Sequence, residues 1–220
     1  EGIGMKNIKT VIFDYDGTIH NGAGNYIDAF RHVYHQMVAD GAAPERSFED
    51  SEITQWLGYS AQEMWQNFMP ELPEEVQMCY SKRIGQFMFD RVKQKKAVLY
   101  EGAAETLNYL KEKGYQLIYL SNCGAEYMKI HTECFGLKNY FSQMYCSGDY
   151  DFQPKYEIFN VIREACPGEY LVVGDRFHDM EIARYHKVYT AGCLYGFGSR
   201  EELKDADVLL EDIRDLQKIL

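Results

Sequence analysis

The stretch Val11-Ile12-Phe13-Asp14-Tyr15-Asp16-Gly17-Thr18 decides how the whole chain is interpreted. It begins as an unbroken apolar run, which is typical of a fully buried β-strand, and Gly17 permits the turn that ends the strand. Asp14 and Asp16 are expected on the same face, because side chains alternate along a strand with a period of two. Two carboxylates at the end of a buried strand are costly unless something neutralises them, and a divalent cation with phosphate chemistry would do so.

The composition excludes several classes of partner. The chain has 220 residues, of which 46% are hydrophobic and 26% charged, as in ordinary globular proteins. A formal net charge of -11 argues against nucleic acid and anionic membranes, but a small anionic substrate stays compatible, because a metal and one lysine can reverse the local field. No segment approaches the roughly 20 apolar residues that span a bilayer.

The cysteines predict the compartment. Six cysteines are scattered without a CxxC pair, and residues 1–10 contain no run that resembles a secretory signal. We therefore expect reduced thiols and a cytoplasmic location. Residues 1–4 precede Met5 and are left out of the fold prediction.

A helical section follows the first strand, which is predicted at about residues 9–14. Apolar residues recur at helical spacing over residues 26–39, and residues 41–96 contain no convincing strand. Helices are predicted there at residues 51–57, 61–69 and 74–92. This pattern indicates an all-helical insertion covering residues 20–96.

From Val98 onward, strand and helix patterns alternate, which predicts an α/β fold with a parallel sheet and helices on both faces. The predicted strands cover residues 116–120, 143–146, 170–173, 188–191 and 208–210. The predicted helices cover residues 103–113, 125–135, 156–166, 180–185 and 212–220. This core would comprise residues 5–19 and 97–220.

Polar residues recur where the core strands stop. The carboxyl ends of parallel strands gather at one edge of the sheet, where ligands bind, so the topology predicts a single site there. The residues concerned are Asp14, Asp16, Ser121, Asn122, Lys155, Asp175 and Asp179. Taken alone, each also fits a plain structural role, such as a turn, a helix cap or a surface lysine.

In this order, the residues resemble the four motifs of the haloacid dehalogenase-like (HAD) hydrolase superfamily, over residues 5–220. The insertion is similar to the helical cap of its subfamily I, which includes phosphoglycolate phosphatase-like and β-phosphoglucomutase-like enzymes. The resemblance implies a Rossmann-like core and a Mg²⁺-dependent phosphatase acting on a small phosphomonoester. The alternative is a sugar phosphomutase that uses the same residues. Either enzyme is expected as a monomer or homodimer.

The resemblance also implies the catalytic roles. Asp14 would be the nucleophile that forms an aspartyl-phosphate. Asp16 would be the general acid and then the base, for which burial and a neighbouring carboxylate should raise its pKa. Mg²⁺ would be held by the Asp14 side chain, the Asp16 carbonyl oxygen and Asp175.

Phosphate-binding roles are implied for four further positions. Ser121 and Lys155 would bind the phosphoryl oxygens, and Asn122 would assist or cap the following helix. Thr18 would fix the turn or contact phosphate through its backbone. Asp179 would orient metal-bound waters or Lys155.

Substrate specificity is expected from a loop of the insertion, around Gln55, Trp56 and Gly58. This loop has no arginine, which argues against a strongly anionic second anchor. A neutral or aromatic leaving group is compatible with Trp56, Tyr59 and Trp65, although these aromatic residues fit the core of the insertion equally well.

His20 follows the first motif and would either line the cleft or lie in a hinge. The hinges are expected at residues 18–24 and 95–101.

Overall fold

The structure is a computed structural model that describes residue 5 and residues 7–220. Residues 1–4, which were left out of the fold prediction, and Lys6 lie outside the described residues. The strands are β1 (Ile8–Phe13), β2 (Gln116–Ser121), β3 (Gln143–Cys146), β4 (Glu169–Gly174), β5 (Tyr189–Cys193) and β6 (Val208–Leu210). The α-helices are α1 (Ala23–Ala39), α2 (Asp50–Thr54), α3 (Ala61–Phe68), α4 (Glu74–Lys93), α5 (Ala103–Glu112), α6 (Ala125–Phe135), α7 (Lys155–Ala165), α8 (Phe177–Met180), α9 (Ile182–Tyr185) and α10 (Leu216–Ile219).

The six strands form one parallel sheet in the order β3-β2-β1-β4-β5-β6. Val11 and Phe13 pack on one face of β1 with residues of α5, while Ile12 packs on the other face with residues of α7. Full burial of each such side chain contributes about 1.5–3 kcal/mol, which explains why β1 is apolar on both faces. The predicted Rossmann-like α/β fold is confirmed.

The helices α1–α4 follow β1 and precede α5 along the chain, and they surround a hydrophobic cluster of their own. This cluster includes Phe30, Tyr34, Ile53, Met64 and Trp65. The interpretation of residues 20–96 as a separate domain, with a core of residues 5–19 and 97–220, stays a prediction.

Several helix boundaries differ from the prediction. Helix α1 begins at Ala23, three residues earlier than predicted, because a glycine such as Gly24 is tolerated in a first turn whose N–H groups lack helical partners anyway. Two predicted helices are interrupted: the one at residues 180–185 is replaced by α8 and α9, and the one at residues 212–220 begins as a 3₁₀ turn at Ile213–Asp215.

Two chain segments connect the helices α1–α4 to the sheet, and they run side by side. The Tyr100 amide donates to the Ile19 carbonyl at 2.9 Å, and the Asn21 amide donates to the Val98 carbonyl at 2.9 Å. His20 and Leu99 form an antiparallel bridge between these bonds. The segments predicted as hinges are therefore paired through backbone atoms.

Within the described residues, no helix is both long enough and apolar enough to cross a membrane.

Candidate active site

Three neighbouring strands bring the motif residues to one edge of the sheet. Asp14 follows β1, Ser121 ends β2, and Asp175 follows β4, with β1 between the other two. Gly17 and Gly196 close around Asp175, since a Cβ atom at either glycine would overlap that side chain. The site therefore requires close approach of the backbone, which only glycine allows.

Three buried carboxylates and one lysine form the centre of the site. One oxygen from each of Asp14, Asp175 and Asp179 lies within 4.8 Å of the others. Lys155 Nζ donates to Asp14 Oδ1 and to Asp179 Oδ1, both at 2.7 Å. Among the described residues, Asp14 Oδ2 and Asp175 Oδ1 have no hydrogen-bond partner.

This cluster has three acidic side chains and one lysine, so its negative charge exceeds its positive charge when the acids are ionised. Burial and the nearby Asp179 raise the pKa of Asp14 to about 6, although Lys155 opposes the shift. Burial, with Asp14 and Asp179 nearby, raises the pKa of Asp175 well above its usual value. Burial alone would lower the pKa of Lys155, but the two aspartates raise it overall. Two unpartnered carboxylate oxygens in a site short of positive charge fit a divalent cation such as Mg²⁺.

Asp179 contacts the lysine and the backbone. Its Oδ1 accepts from Lys155, and its Oδ2 accepts from the Arg176 amide at 3.1 Å. Both oxygens thus have protein partners, and the contact with Lys155 fits one of the two predicted roles, orienting that lysine, which stays a prediction.

Asp16 faces a different set of groups from Asp14. Its Oδ1 accepts from the Tyr127 hydroxyl at 2.6 Å and lies 2.7 Å from His20 Nδ1. Burial would raise the pKa of Asp16, but its hydrogen bonds with His20 and Tyr127 and the charge of His20 lower it overall. The prediction of a raised pKa is therefore wrong for this arrangement, because two donors stabilise the carboxylate.

His20 lies in a segment predicted as a hinge and contacts Asp16. It is 1% exposed, stacks on Tyr15 with ring centroids 5.3 Å apart, and meets His131 edge-on at 4.6 Å. The Tyr15 hydroxyl lies 2.7 Å from His131 Nδ1. Burial, with His20 nearby, lowers the pKa of His131 to about 3, so the ring beside the Tyr15 hydroxyl is neutral at pH 7.

Two other candidates are held by internal hydrogen bonds. The Thr18 amide donates to the Tyr15 carbonyl at 3.2 Å, and the Thr18 carbonyl accepts from the Tyr195 hydroxyl at 2.8 Å, so its backbone is part of the turn, and its predicted role there stays a prediction. Asn122 does not cap α6, whose N-cap residue Gly124 has no side-chain cap. Its Nδ2 donates instead to the Gly58 carbonyl at 3.2 Å.

The loop around Gly58 is held by an arginine that the sequence interpretation missed. Arg176 Nη1 donates to the Gln55 carbonyl at 2.8 Å and to the Leu57 carbonyl at 2.6 Å. Arg176 Nε donates to Glu202 at 2.8 Å. Its position directly after Gly174-Asp175 is the signal from which Arg176 could have been identified.

A cavity of about 310 Å³ lies next to Asp16. Trp56 and Gly58, two of the predicted specificity residues, line it together with Asn122 and Tyr127. Gln55 does not line this cavity, because its exposed side chain bonds to the Glu52 carbonyl. The Trp56 ring also packs against Phe68, so it belongs both to the cavity wall and to the cluster of α1–α4.

Comparisons with known proteins agree with this geometry. Residues 11–193 match the family model described as haloacid dehalogenase-like hydrolase. Pyrophosphatase PpaX of Listeria welshimeri is 26% identical, covering 97% of this chain and 96% of that protein. Phosphoglycolate phosphatase of Escherichia coli is 23% identical, covering 96% and 92%. The crystal structure of a predicted phosphoglycolate phosphatase from Haemophilus somnus has the same fold, with a TM-score of 0.79 and 22% identity over 98% of this chain and 99% of that one.

Proposed function

Because the chain belongs to the haloacid dehalogenase-like hydrolase family, we propose that it is a Mg²⁺-dependent phosphatase that hydrolyses a small phosphomonoester. Relatives named as a pyrophosphatase and a phosphoglycolate phosphatase support phosphate chemistry. The observation that carries the proposal is the state of Asp14, whose Oδ1 is bonded to Lys155 while its buried Oδ2 has no partner among the described residues.

Asp14 is the proposed nucleophile. One oxygen of its carboxylate would attack phosphorus while the other binds the cation, and Lys155 lies beside Asp14 to bind the phosphoryl oxygens. A pKa of about 6 leaves most of Asp14 ionised at neutral pH. A cation held by this cluster would lower the pKa of Asp14 further. Ser121 and the first amides of α6 are the other proposed phosphate ligands.

The metal site would use Asp14, Asp175 and the carbonyl oxygen of Asp16. The unpartnered oxygens Asp14 Oδ2 and Asp175 Oδ1 support the first two of these ligands. Bound Mg²⁺ supplies positive charge that reduces repulsion between the nucleophile and the anionic substrate.

Asp16 is the proposed general acid and base. In the first step an Asp14 oxygen bonds to phosphorus, the bond from phosphorus to the ester oxygen breaks, and Asp16 gives that oxygen a proton. In the second step Asp16 takes a proton from water, whose oxygen attacks phosphorus and releases phosphate from Asp14. Because its hydrogen bonds keep Asp16 ionised, His20 Nδ1, 2.7 Å from Asp16 Oδ1, would provide the proton that Asp16 passes to the ester oxygen.

The helices α1–α4 are the proposed cap. Their separate hydrophobic cluster and their paired connections at Ile19–Tyr100 and Asn21–Val98 support movement as one unit. Closure of this cap would exclude water from the reaction. We also propose that the enzyme works in the reducing cytoplasm, which its six free cysteines support.

Hydrolysis of a generic aryl phosphate, 4-nitrophenyl phosphate, tests the proposal. Released phosphate should depend on Mg²⁺, disappear with EDTA, and disappear in Asp14→Asn. Exposed Asp205 provides the matched control, and Asp205→Asn should retain activity. Retained activity in Asp14→Asn would rule out the nucleophile. In Asp16→Asn the phosphoenzyme should accumulate, which acid-quenched mass spectrometry detects.

A further inference from the structure

The cavity beside Asp16 marks the side of the site on which the leaving group lies. Under the proposed function, Asp16 protonates the ester oxygen, so the group attached to that oxygen must extend from Asp16. The cavity of about 310 Å³ begins at Asp16 and continues between α3, α4 and the start of α6. A volume of this size lies within the range of small-molecule pockets, roughly 300–1,000 Å³.

The cavity wall is aromatic and almost free of charge. Its aromatic residues are Tyr26, Trp56, Tyr59, Trp65, Tyr127 and Phe152. No lysine, arginine or histidine of the described chain lines it, and Asp16 is the one acidic residue in its wall. Aromatic walls favour apolar and aromatic ligands through burial of area and ring packing.

The buried arginine and the buried lysine near this site already have partners. Arg176 packs over Tyr59 at 5.0 Å, but its guanidinium donates to the loop carbonyls and to Glu202. Lys155 donates to Asp14 and Asp179 in the phosphoryl site. An anionic leaving group in this cavity would find no lysine, arginine or histidine side chain in its wall among the described residues.

From these observations we propose that the enzyme acts on phosphomonoesters whose leaving group is uncharged and apolar, with an aromatic ring as the best fit. This inference rests on the proposed function. It separates the chain from the relatives named above, because pyrophosphate and phosphoglycolate both have anionic leaving groups. Burying an unpaired anion is costly, whereas burying an aromatic ring is favourable.

Two phosphonates that differ only at the leaving-group side test the inference by binding. Benzylphosphonate carries a phenyl ring where phosphonoacetate carries a carboxylate, and neither is hydrolysed. Calorimetry on the full wild-type chain with Mg²⁺ should show that benzylphosphonate binds at least roughly tenfold more tightly. Equal binding, or tighter binding of phosphonoacetate, would overturn the inference.

A charge placed in the cavity provides the second test. Ser81 lies on α4 and lines the cavity, so Ser81→Lys introduces the missing cation. This variant should reduce the preference for benzylphosphonate by about tenfold, while Ser81→Met, of similar length and uncharged, should keep it. If lysine and methionine have the same effect, charge does not set the preference and the inference fails.

Turnover distinguishes failure of this inference from failure of the proposed function. The substrates are phenyl phosphate, phosphoglycolate and pyrophosphate, each tested with the wild type and Asp14→Asn. Asp14-dependent hydrolysis that favours phenyl phosphate supports both proposals. Asp14-dependent hydrolysis that favours an anionic substrate overturns the leaving-group inference alone. Absence of Asp14-dependent hydrolysis for all three overturns the proposed function and the inference with it.

Discussion

The guanidinium of Arg176 donates a 2.6 Å hydrogen bond to the carbonyl oxygen of Leu57, 119 residues away in the chain. The same Nη1 also donates to the Gln55 carbonyl, so one buried side chain next to Asp175 holds the loop that borders the cavity. Both acceptors are backbone atoms. These two hydrogen bonds of Arg176 therefore hold the loop in a way that does not depend on which side chains stand at positions 55 and 57.

Arg176→Lys should weaken the coupling between the cavity loop and the sheet. Lysine keeps the charge but lacks the fork that reaches Leu57 and Glu202 together. Since hydrogen bonds to charged groups contribute roughly 1.5–3 kcal/mol, we expect kcat/KM to fall by about tenfold or more. The control is Arg200→Lys, whose exposed ion pair with Glu211 lies outside the site and should leave kcat/KM unchanged. An unaltered kcat/KM in Arg176→Lys would contradict this role.

Tyr127→Phe should lower kcat with little effect on KM. The variant keeps the ring in the cavity wall and removes only the hydroxyl, which donates to Asp16 at 2.6 Å. Loss of one such bond costs about 1 kcal/mol, which corresponds to roughly fivefold in rate. Tyr109→Phe, which removes a 3.4 Å bond to the Gln217 carbonyl, is the control. A rise in KM at constant kcat would show that the hydroxyl serves substrate binding instead.

His131 should make stability dependent on pH. Its pKa falls from 6.5 in the unfolded chain to about 3 in the folded chain, so between these values protons bind preferentially to the unfolded chain. The free energy of unfolding is therefore unaffected by His131 above about pH 6.5. It falls as the pH drops below that value, by about 2 kcal/mol at pH 5. Urea unfolding at pH 7.5 and pH 5 should show a smaller loss of stability for His131→Asn than for the wild type. Exposed His35 gives the control, since His35→Asn should keep the wild-type loss. An identical loss in all three proteins would refute the assignment.

Asp175→Asn should stabilise the metal-free protein while removing its response to Mg²⁺. The substitution removes one of three buried carboxylates that repel one another, and an asparagine oxygen still accepts from the Phe197 amide. With EDTA we expect a gain in the free energy of unfolding on the order of 1 kcal/mol. Added Mg²⁺ should raise the Tm of the wild type and of Asp205→Asn, and much less that of Asp175→Asn. Equal stabilisation by Mg²⁺ would argue against Asp175 as a ligand.

The sheet was predictable because the decisive signals are local. The apolar run before Asp14 and the strand–helix alternation after Val98 lie within short windows, and the observed strands begin and end within about two residues of the predicted bounds. The glycines before Asn25 misled the prediction of the start of α1, since glycine usually indicates a loop.

The partners of the site residues were not predictable in the same way. Asp16 contacts Tyr127, which is 111 residues away in the sequence, and Arg176 contacts Gln55, which is 121 residues away. No local pattern around Tyr127 distinguishes it from any other tyrosine at the start of a helix. The lowered pKa of Asp16 depends on donors such as Tyr127 that are distant in the chain. The prediction used only burial and the neighbouring Asp14, so it gave a raised pKa for Asp16.

The backbone pairing of Ile19 with Tyr100 and of Asn21 with Val98 has a consequence for how such enzymes diversify. The chain leaves the sheet and returns to it at adjacent points, and the joint uses main-chain atoms that any sequence supplies. If the helices α1–α4 act as the proposed cap, a different insertion at this joint would change the substrate preference, while the proposed phosphoryl-transfer residues on the sheet stay unchanged.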